Sequence, residues 1–343
     1  MNTKRIGQRT IALAHPPSVI SFANIGGKFE HEGPLGSYFD EWNKDSFFGE
    51  KTWEKAESAM QKKVLQRALD KARLKPKDLD YIFAGDLLNQ CIGSSFGLRD
   101  FHIPFYGLYG ACSTMSESLS IGAMLADGGF ADRIICATCS HFCTAERQYR
   151  APLELGNQRT PTAQWTVTGS GAVMVASGEA AKHARIVVTH ATCGRVIDLG
   201  IADQNNMGAA MAPAAAATLC AYFDDTKDDP AQFDRIITGD LGMVGSELLL
   251  EWTEKLGHPL PREKMMDCGL TIFDPGQDSH AGGSGCGCAA SVLCAHILPK
   301  LASGEWRRVL FMATGALLSP TTSQQGETIP GIAHAVVIEG VQG

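Results

Sequence analysis

Cys112 is the residue whose setting most invites chemistry. A hydrophobic approach through Phe105, Tyr106, Leu108 and Tyr109 ends in Gly110 and Ala111, and after Cys112 a helix opens with Ser113 and Glu117 and runs to about Ala126. The pattern reads as strand, sharp turn and helix, with the cysteine at the bend. There a sulfur faces the unpaired N–H groups and the positive end of the helix dipole, which favour thiolate over thiol and predict a lowered pKa. A nucleophile or an anion-binding site suits this position. The alternative is a thiol that is simply buried, the usual state of a free cysteine.

A second stretch with chemical content is 141–168. It is polar, aromatic and arginine-rich, with His141, Glu146, Arg147, Tyr149, Arg150, Arg159, Gln164 and Trp165 and no clear period. Long irregular segments inside a compact domain usually carry function. Its arginines have a surface or dimer-interface role as their alternative. Cys136, Cys139, His141 and Cys143 include a CxxC, but odd spacing on a strand sends side chains to opposite faces, which argues against a zinc site.

These residues need elements to hold them. The 343 residues suffice for two domains or one large domain of two halves. A composition of 44% hydrophobic and 20% charged residues is that of an ordinary globular protein, and a net charge of -7 argues against nucleic-acid binding. The eleven cysteines fall mostly in apolar segments such as those of Cys136, Cys220 and Cys294, which predicts reduced thiols. Lys4, Arg5 and Arg9 precede a stretch broken by His15, Pro16 and Pro17, so no signal peptide is expected. The longest apolar run, Ala209 to Phe223, contains Pro213 and is too short to span a bilayer, so a soluble or peripheral protein is expected.

The coarse pattern is α/β. Strands are predicted at 18–29, 79–84, 133–139 and 169–177, with helices at 53–73 and after Cys112; such apolar runs alternating with helices imply parallel strands covered on both faces. The second half repeats the first. Leu79–Leu87 (LDYIFAGDL) is echoed by Phe233–Leu241 (FDRIITGDL), and Asp132–Thr138 (DRIICAT) by Arg307–Thr314 (RRVLFMAT). The cysteine turn has its counterpart in Gly282–Cys294 (GGSGCGCAASVLC), which opens the helix before Arg307. Two halves are thus expected, 1–179 carrying Cys112 and 180–343 carrying the glycine-rich turn, with two helix starts approaching one pocket.

Two βαβ halves with glycine-rich helix starts, one bearing a cysteine at the bend, resemble the thiolase superfamily. That resemblance implies a five-layer αβαβα fold of two duplicated halves, two five-stranded mixed sheets around a pair of buried helices, and a homodimer. Cys112 then stands where the superfamily holds its acylated cysteine. His280, in DSHAGGSGCG, resembles the histidine before the thiolase glycine-rich turn, where it raises thiolate character and moves protons. Two departures stand out. Where ketoacyl synthases carry a histidine this chain has Gly239, Asp240 and Leu241, and where thiolases carry a second cysteine it has Thr314, Gly315 and Ala316. Losing an acid–base group typically costs ~10²- to 10⁴-fold in rate, so a non-condensing protein is expected. A condensing or acyl-transfer enzyme acting on acyl-CoA or acyl carrier protein through Cys112 is the alternative.

The segments SVISFANIGGKFEHEGPLGSYFD, GLYGACSTMSESLSIGA, SHFCTAERQYR and QRTPTAQWTVTGSGAV resemble more closely the stage V sporulation protein AD family of spore-forming Firmicutes. This implies a protein that binds dipicolinic acid, alone or with calcium, and supports its uptake into the forespore beside proteins of the same operon at the spore inner membrane. No resident cofactor or metal is expected. A flat dianion needs an apolar slot and donors for two carboxylates. The candidate ligand-binding set is Cys112, Ser113, His141, Arg147, Arg159, Trp165, His280, Gly283 and Ser284, with Cys112 and His280 as vestigial catalytic groups.

Overall fold

The architecture is set by two helices that are buried over most of their surface. Thr114–Asp127 buries Met115, Leu119, Ala123 and Ala126, together with serines whose hydroxyls are absorbed by its own backbone: Ser118 Oγ donates to the Met115 carbonyl at 2.8 Å and Ser120 Oγ to that of Ser116 at 2.7 Å. Small self-satisfied polar residues let the helix be covered all round. Its counterpart is the continuous helical run from Cys286 to Ser303, which includes a π-turn over Leu293–Ile297. In the computed structural model, which describes residues 4–149, 158–182 and 184–341, both helices lie between two sheets. Cys286–Ser303 is also, among the described residues, the helix long and apolar enough to cross a membrane; 72% of it is buried, which makes it the core helix of this fold.

Each sheet has five main strands. The first runs Ser18–Gly27, Gly169–Ala176, Arg133–Ser140, Tyr81–Gly85, Phe105–Gly107; the second runs Ile186–Thr192, Gly331–Gly340, Arg308–Ala316, Arg235–Thr238, Met265–Asp267. They join edge to edge through the single pair Ser18↔Val187. In each sheet the three strands farthest from that junction are parallel and the other two antiparallel. The parallel strands expected from the apolar runs alone are therefore corrected to the mixed arrangement that the resemblance implied. Continuous apolar runs report burial on both faces, and that burial is the same whichever way the strand points.

Outer helices complete five layers. Trp53–Ala72 covers the first sheet with Met60, Val64, Leu65 and Leu69, and Met207–Thr226 with Gly242–Lys255 covers the second. The repeat holds at the level of single side chains. Asp80 Oδ2 accepts from the N–H groups of Asp132 and Arg133 at 2.8 and 2.9 Å, and Asp234 Oδ2 accepts from those of Arg307 and Arg308 at 2.6 and 2.9 Å. The two echoed aspartates tie equivalent strands together at equivalent points.

The irregular segment contains two elements that periodicity missed, the helix Phe142–Tyr149 and the two-residue strand Trp165–Thr166, which pairs with Gly283–Ser284. Cys136 donates to the Ser118 carbonyl of the central helix at 3.2 Å, whereas Cys139 donates to Gln61 of the outer helix at 3.2 Å, so the two thiols point to opposite faces. All eleven cysteines are unpaired.

Sheet and central helix touch backbone to backbone at Gly171, where an added Cβ would come within 2.4 Å of the Ala290 carbonyl oxygen. Gly171→Ala is expected to cost about 1–3 kcal/mol by overpacking, and Gly122→Ala, where the nearest atom is Cys136 Sγ at 3.0 Å, clearly less. Urea unfolding of both variants checks this; equal losses would contradict it.

Candidate functional site

The bend at Cys112 is one tight turn, Ala111–Ser113, with Ala111 at φ 52°. Local hydroxyls lock it. Ser113 Oγ donates to the Gly110 carbonyl and Thr114 Oγ1 to the Ala111 carbonyl, both at 2.7 Å. The strand Arg308–Ala316 arrives so close that a Cβ on Gly315 would sit 2.5 Å from the Gly110 carbonyl oxygen. Cys112 is thereby held at 7% exposure, its sulfur 3.9 Å from Ser284 Oγ at the start of the opposing central helix.

Behind this pair lies Asp240, fully buried. Its carboxylate accepts from Ser284 Oγ at 2.9 Å, the Gly285 N–H at 3.0 Å and Thr314 Oγ1 at 2.7 Å. Burial pushes Asp240 above the usual carboxylate range, and these donors draw it partly back. Burial also pushes the Cys112 thiol well above its ordinary value, with the Asp240 charge acting the same way. The lowered pKa expected from the helix start is overturned. A helix terminus supplies about 0.3–1 kcal/mol, up to ~2 in buried geometries, which desolvation and a facing carboxylate exceed.

A narrow cleft of ≈ 60 Å³ opens onto Cys112 and Ser284, walled by Leu87, Ala145, Glu146, Tyr149, Thr166, Met207, Ala316 and Leu318. Tyr149 Oη donates to the Leu87 carbonyl and lies 3.2 Å from Tyr109 Oη. Arg159 stands behind this wall. It donates to Glu146 Oε1 at 3.3 Å and to the Gln164 carbonyl, with its guanidinium 4.9 Å from the Trp165 ring centroid.

Of the residues singled out from sequence, Cys112, Ser284, Glu146, Tyr149 and, through Glu146, Arg159 meet at this cleft. The other candidate ligand-binding residues do not. Ser113 is buried and spent on its own turn, and Gly283 is buried in the short strand pair. His280 sits on the bridge opposite Gln164, with Nδ1 3.7 Å from Asp278 Oδ1, and is not part of the cleft wall. Arg147 pairs with Glu54 and covers the Trp53 ring on the outer surface. Arg150 lies outside the described residues.

His141 and Trp165 belong to a separate cavity of ≈ 280 Å³ on another face of the helix Phe142–Tyr149. There His141 is buried, accepts the Cys143 N–H on Nδ1 at 3.1 Å and reaches the Ser46 carbonyl with Nε2 at 2.7 Å. Burial lowers its pKa, and the two contacts fix a neutral structural tautomer. Sequence reasoning missed Asp240 as a site residue, although the repeated GDL already marked it.

At the two departures noted in the sequence the chain holds Gly239 and Thr314. A Cβ on Gly239 would lie 3.0 Å from Ala313 Cα and 3.3 Å from Ala289 Cβ, a contact so tight that the neighbours would have to give way to a larger side chain. Thr314 is committed to Asp240.

A doubled five-layer fold with a cysteine at one helix start facing the second buried helix defines a thiolase-like protein. Solved structures bear out the fold: 3-oxoacyl-[acyl-carrier-protein] synthase III from Aquifex aeolicus VF5 is 14% identical, with 94% of this chain and 99% of that one covered at a TM-score of 0.57. Human mitochondrial 3-ketoacyl-CoA thiolase is 13% identical, covering 96% and 99% at 0.58, and OleA from Xanthomonas campestris is 11% identical, covering 96% and 99% at 0.60. Within this class the chain belongs to the stage V sporulation protein AD (SpoVAD) family, whose model matches residues 7–339. Stage V sporulation protein AD of Bacillus subtilis (strain 168) is 45% identical over 340 residues, 99% of each chain.

If Asp240 suppresses the thiolate, Asp240→Asn lowers the Cys112 pKa. Alkylation of Cys112 by iodoacetamide at pH 8, followed by mass spectrometry, is expected to speed up about tenfold, equal to ~1 pKa unit. An unchanged rate in a variant that melts normally would reject the suppression.

Proposed function

We propose that this protein is a non-condensing member of the thiolase class that binds dipicolinic acid, alone or with calcium, in the Cys112 cleft. It supports uptake of that metabolite into the forespore during sporulation. The observation that carries the reading is the company Cys112 keeps, Ser284 and the buried Asp240, in a chain with no histidine among Gly239, Asp240 and Leu241 and no cysteine among Thr314, Gly315 and Ala316. A thiol held neutral beside a carboxylate is unfit for acyl transfer, while the mostly apolar slot around it suits one flat ring. The Arg159 guanidinium is the donor for a carboxylate, exchanging Glu146 for the ligand or sharing it through a divalent ion. A cavity of about 150 Å³ admits benzene, so the ≈ 60 Å³ cleft must widen by an outward shift of Tyr149.

Family membership supports a place beside other proteins of the same operon at the spore inner membrane. Homodimerisation is supported by the edge strand Phe105–Gly107, which leaves Phe105, Tyr106 and nearby Tyr109 exposed. An open apolar edge is a template for pairing with a second copy. Sedimentation should give a dimer at micromolar concentration that Tyr106→Lys weakens at least tenfold; a wild-type monomer would remove this part of the proposal.

For the ligand, calorimetry with dipicolinate, with and without calcium, should give saturable binding. Arg159→Gln should lose about 10- to 100-fold, the range of a hydrogen bond to a charged group, and Ala316→Phe, which fills the cleft, should abolish binding. Incubation with an acyl thioester should leave Cys112 unmodified. Acylation of Cys112 without dipicolinate binding would favour the acyl-transfer enzyme instead.

A further inference from the structure

We infer that the second cavity, formed where the strand Ser18–Gly27 ends, is a binding site for a small organic cation, an alkylammonium or alkylguanidinium. Its floor is Glu30, 1% exposed. One carboxylate oxygen accepts the Thr168 N–H at 2.8 Å, while Oε2 has no well-formed hydrogen bond and lies against Gly27, where an added Cβ would come within 2.7 Å of it. A buried carboxylate oxygen left without a partner is costly to the fold unless a donor arrives. Burial raises Glu30 to about 7, with the N–H groups of Thr168, Glu30 and Gly27 drawing it partly back. The group is thus poised to ionise fully when a positive charge approaches.

The walls are aromatic. Trp165 stacks on Phe142 at 4.0 Å between centroids, and Phe29 meets Trp165 at 4.8 Å. Phe29 and the stacked Trp165–Phe142 pair line the same cavity as the carboxylate, and their remaining ring surface offers an ammonium or guanidinium cation–π attraction beside one charge-assisted hydrogen bond. At the mouth Lys28 is matched by Glu32 at 3.7 Å, and Lys44 is exposed to water. The cavity shares no wall residue with the Cys112 cleft, and the inference stands independently of the proposed function.

The test is calorimetry of the full chain with butylammonium chloride, and with 1-butanol as the neutral probe of similar shape. Saturable butylammonium binding is expected, with butanol at least tenfold weaker. Glu30→Gln should weaken the ammonium at least tenfold while its melting temperature at pH 8 stays the same or rises, since a carboxylate whose pKa burial raises to about 7 costs the fold stability as pH climbs from its unfolded value to that pKa, a loss complete by pH 8. Phe29→Leu, which keeps the carboxylate, should also weaken binding, and Ala316→Phe should not. Absence of saturable butylammonium binding, equal binding of butanol, or an unchanged affinity in a folded Glu30→Gln variant would each overturn the inference.

Discussion

The buried carboxylate of Asp240 is the constraint on which the centre of this molecule turns. An ionisable group in a protein interior is tolerated only when its hydrogen-bonding capacity is met, and Asp240 meets it with the Ser284 hydroxyl, the Gly285 N–H and the Thr314 hydroxyl. Those three groups fix the turn into one central helix and the top of the neighbouring strand. Because Cys112 faces the same carboxylate, the group that organises the site also decides the state of its thiol. The scaffold of a nucleophilic centre is retained here in an electrostatic setting that opposes the nucleophile.

The duplication could be read from the chain because the two copies still do the same local work. Asp80 and Asp234 bind successive N–H groups of equivalent strands, so the LD and FD of the echoed segments persist for a physical reason. The bend at Cys112 was equally legible, since a glycine, a small residue and a helix start leave little freedom. Its acidity was not. The helix dipole is visible in local sequence, but the carboxylate that outweighs it comes from the other half of the chain and is brought near only by folding. His280 shows the converse, a residue conspicuous in a glycine-rich motif whose ring the turn leaves beside Asp278. The helix Phe142–Tyr149 escaped because eight residues are too few to display a period, and the burial of Glu30 has no local signature.

This short helix divides the functional surface. Ala145, Glu146 and Tyr149 face the cysteine cleft, and Phe142 and Cys143 face the aromatic cavity. Arg159 reaches both regions, bound to Glu146 on one side and lying over the Trp165 and Phe142 rings on the other.

The strand order has a consequence for how the chain comes off the ribosome. Gly331–Gly340 is the last strand to be synthesised, yet it sits inside the second sheet, between Ile186–Thr192 and Arg308–Ala316. The two sheets share one residue pair, and the central helices pack against strands of both. Until that final strand emerges, Ile186–Thr192 has an open side and the helix Thr114–Asp127 lacks part of its cover. The nascent chain therefore waits with apolar surface exposed, and closure of this fold comes late in its synthesis, a situation that favours chaperone protection.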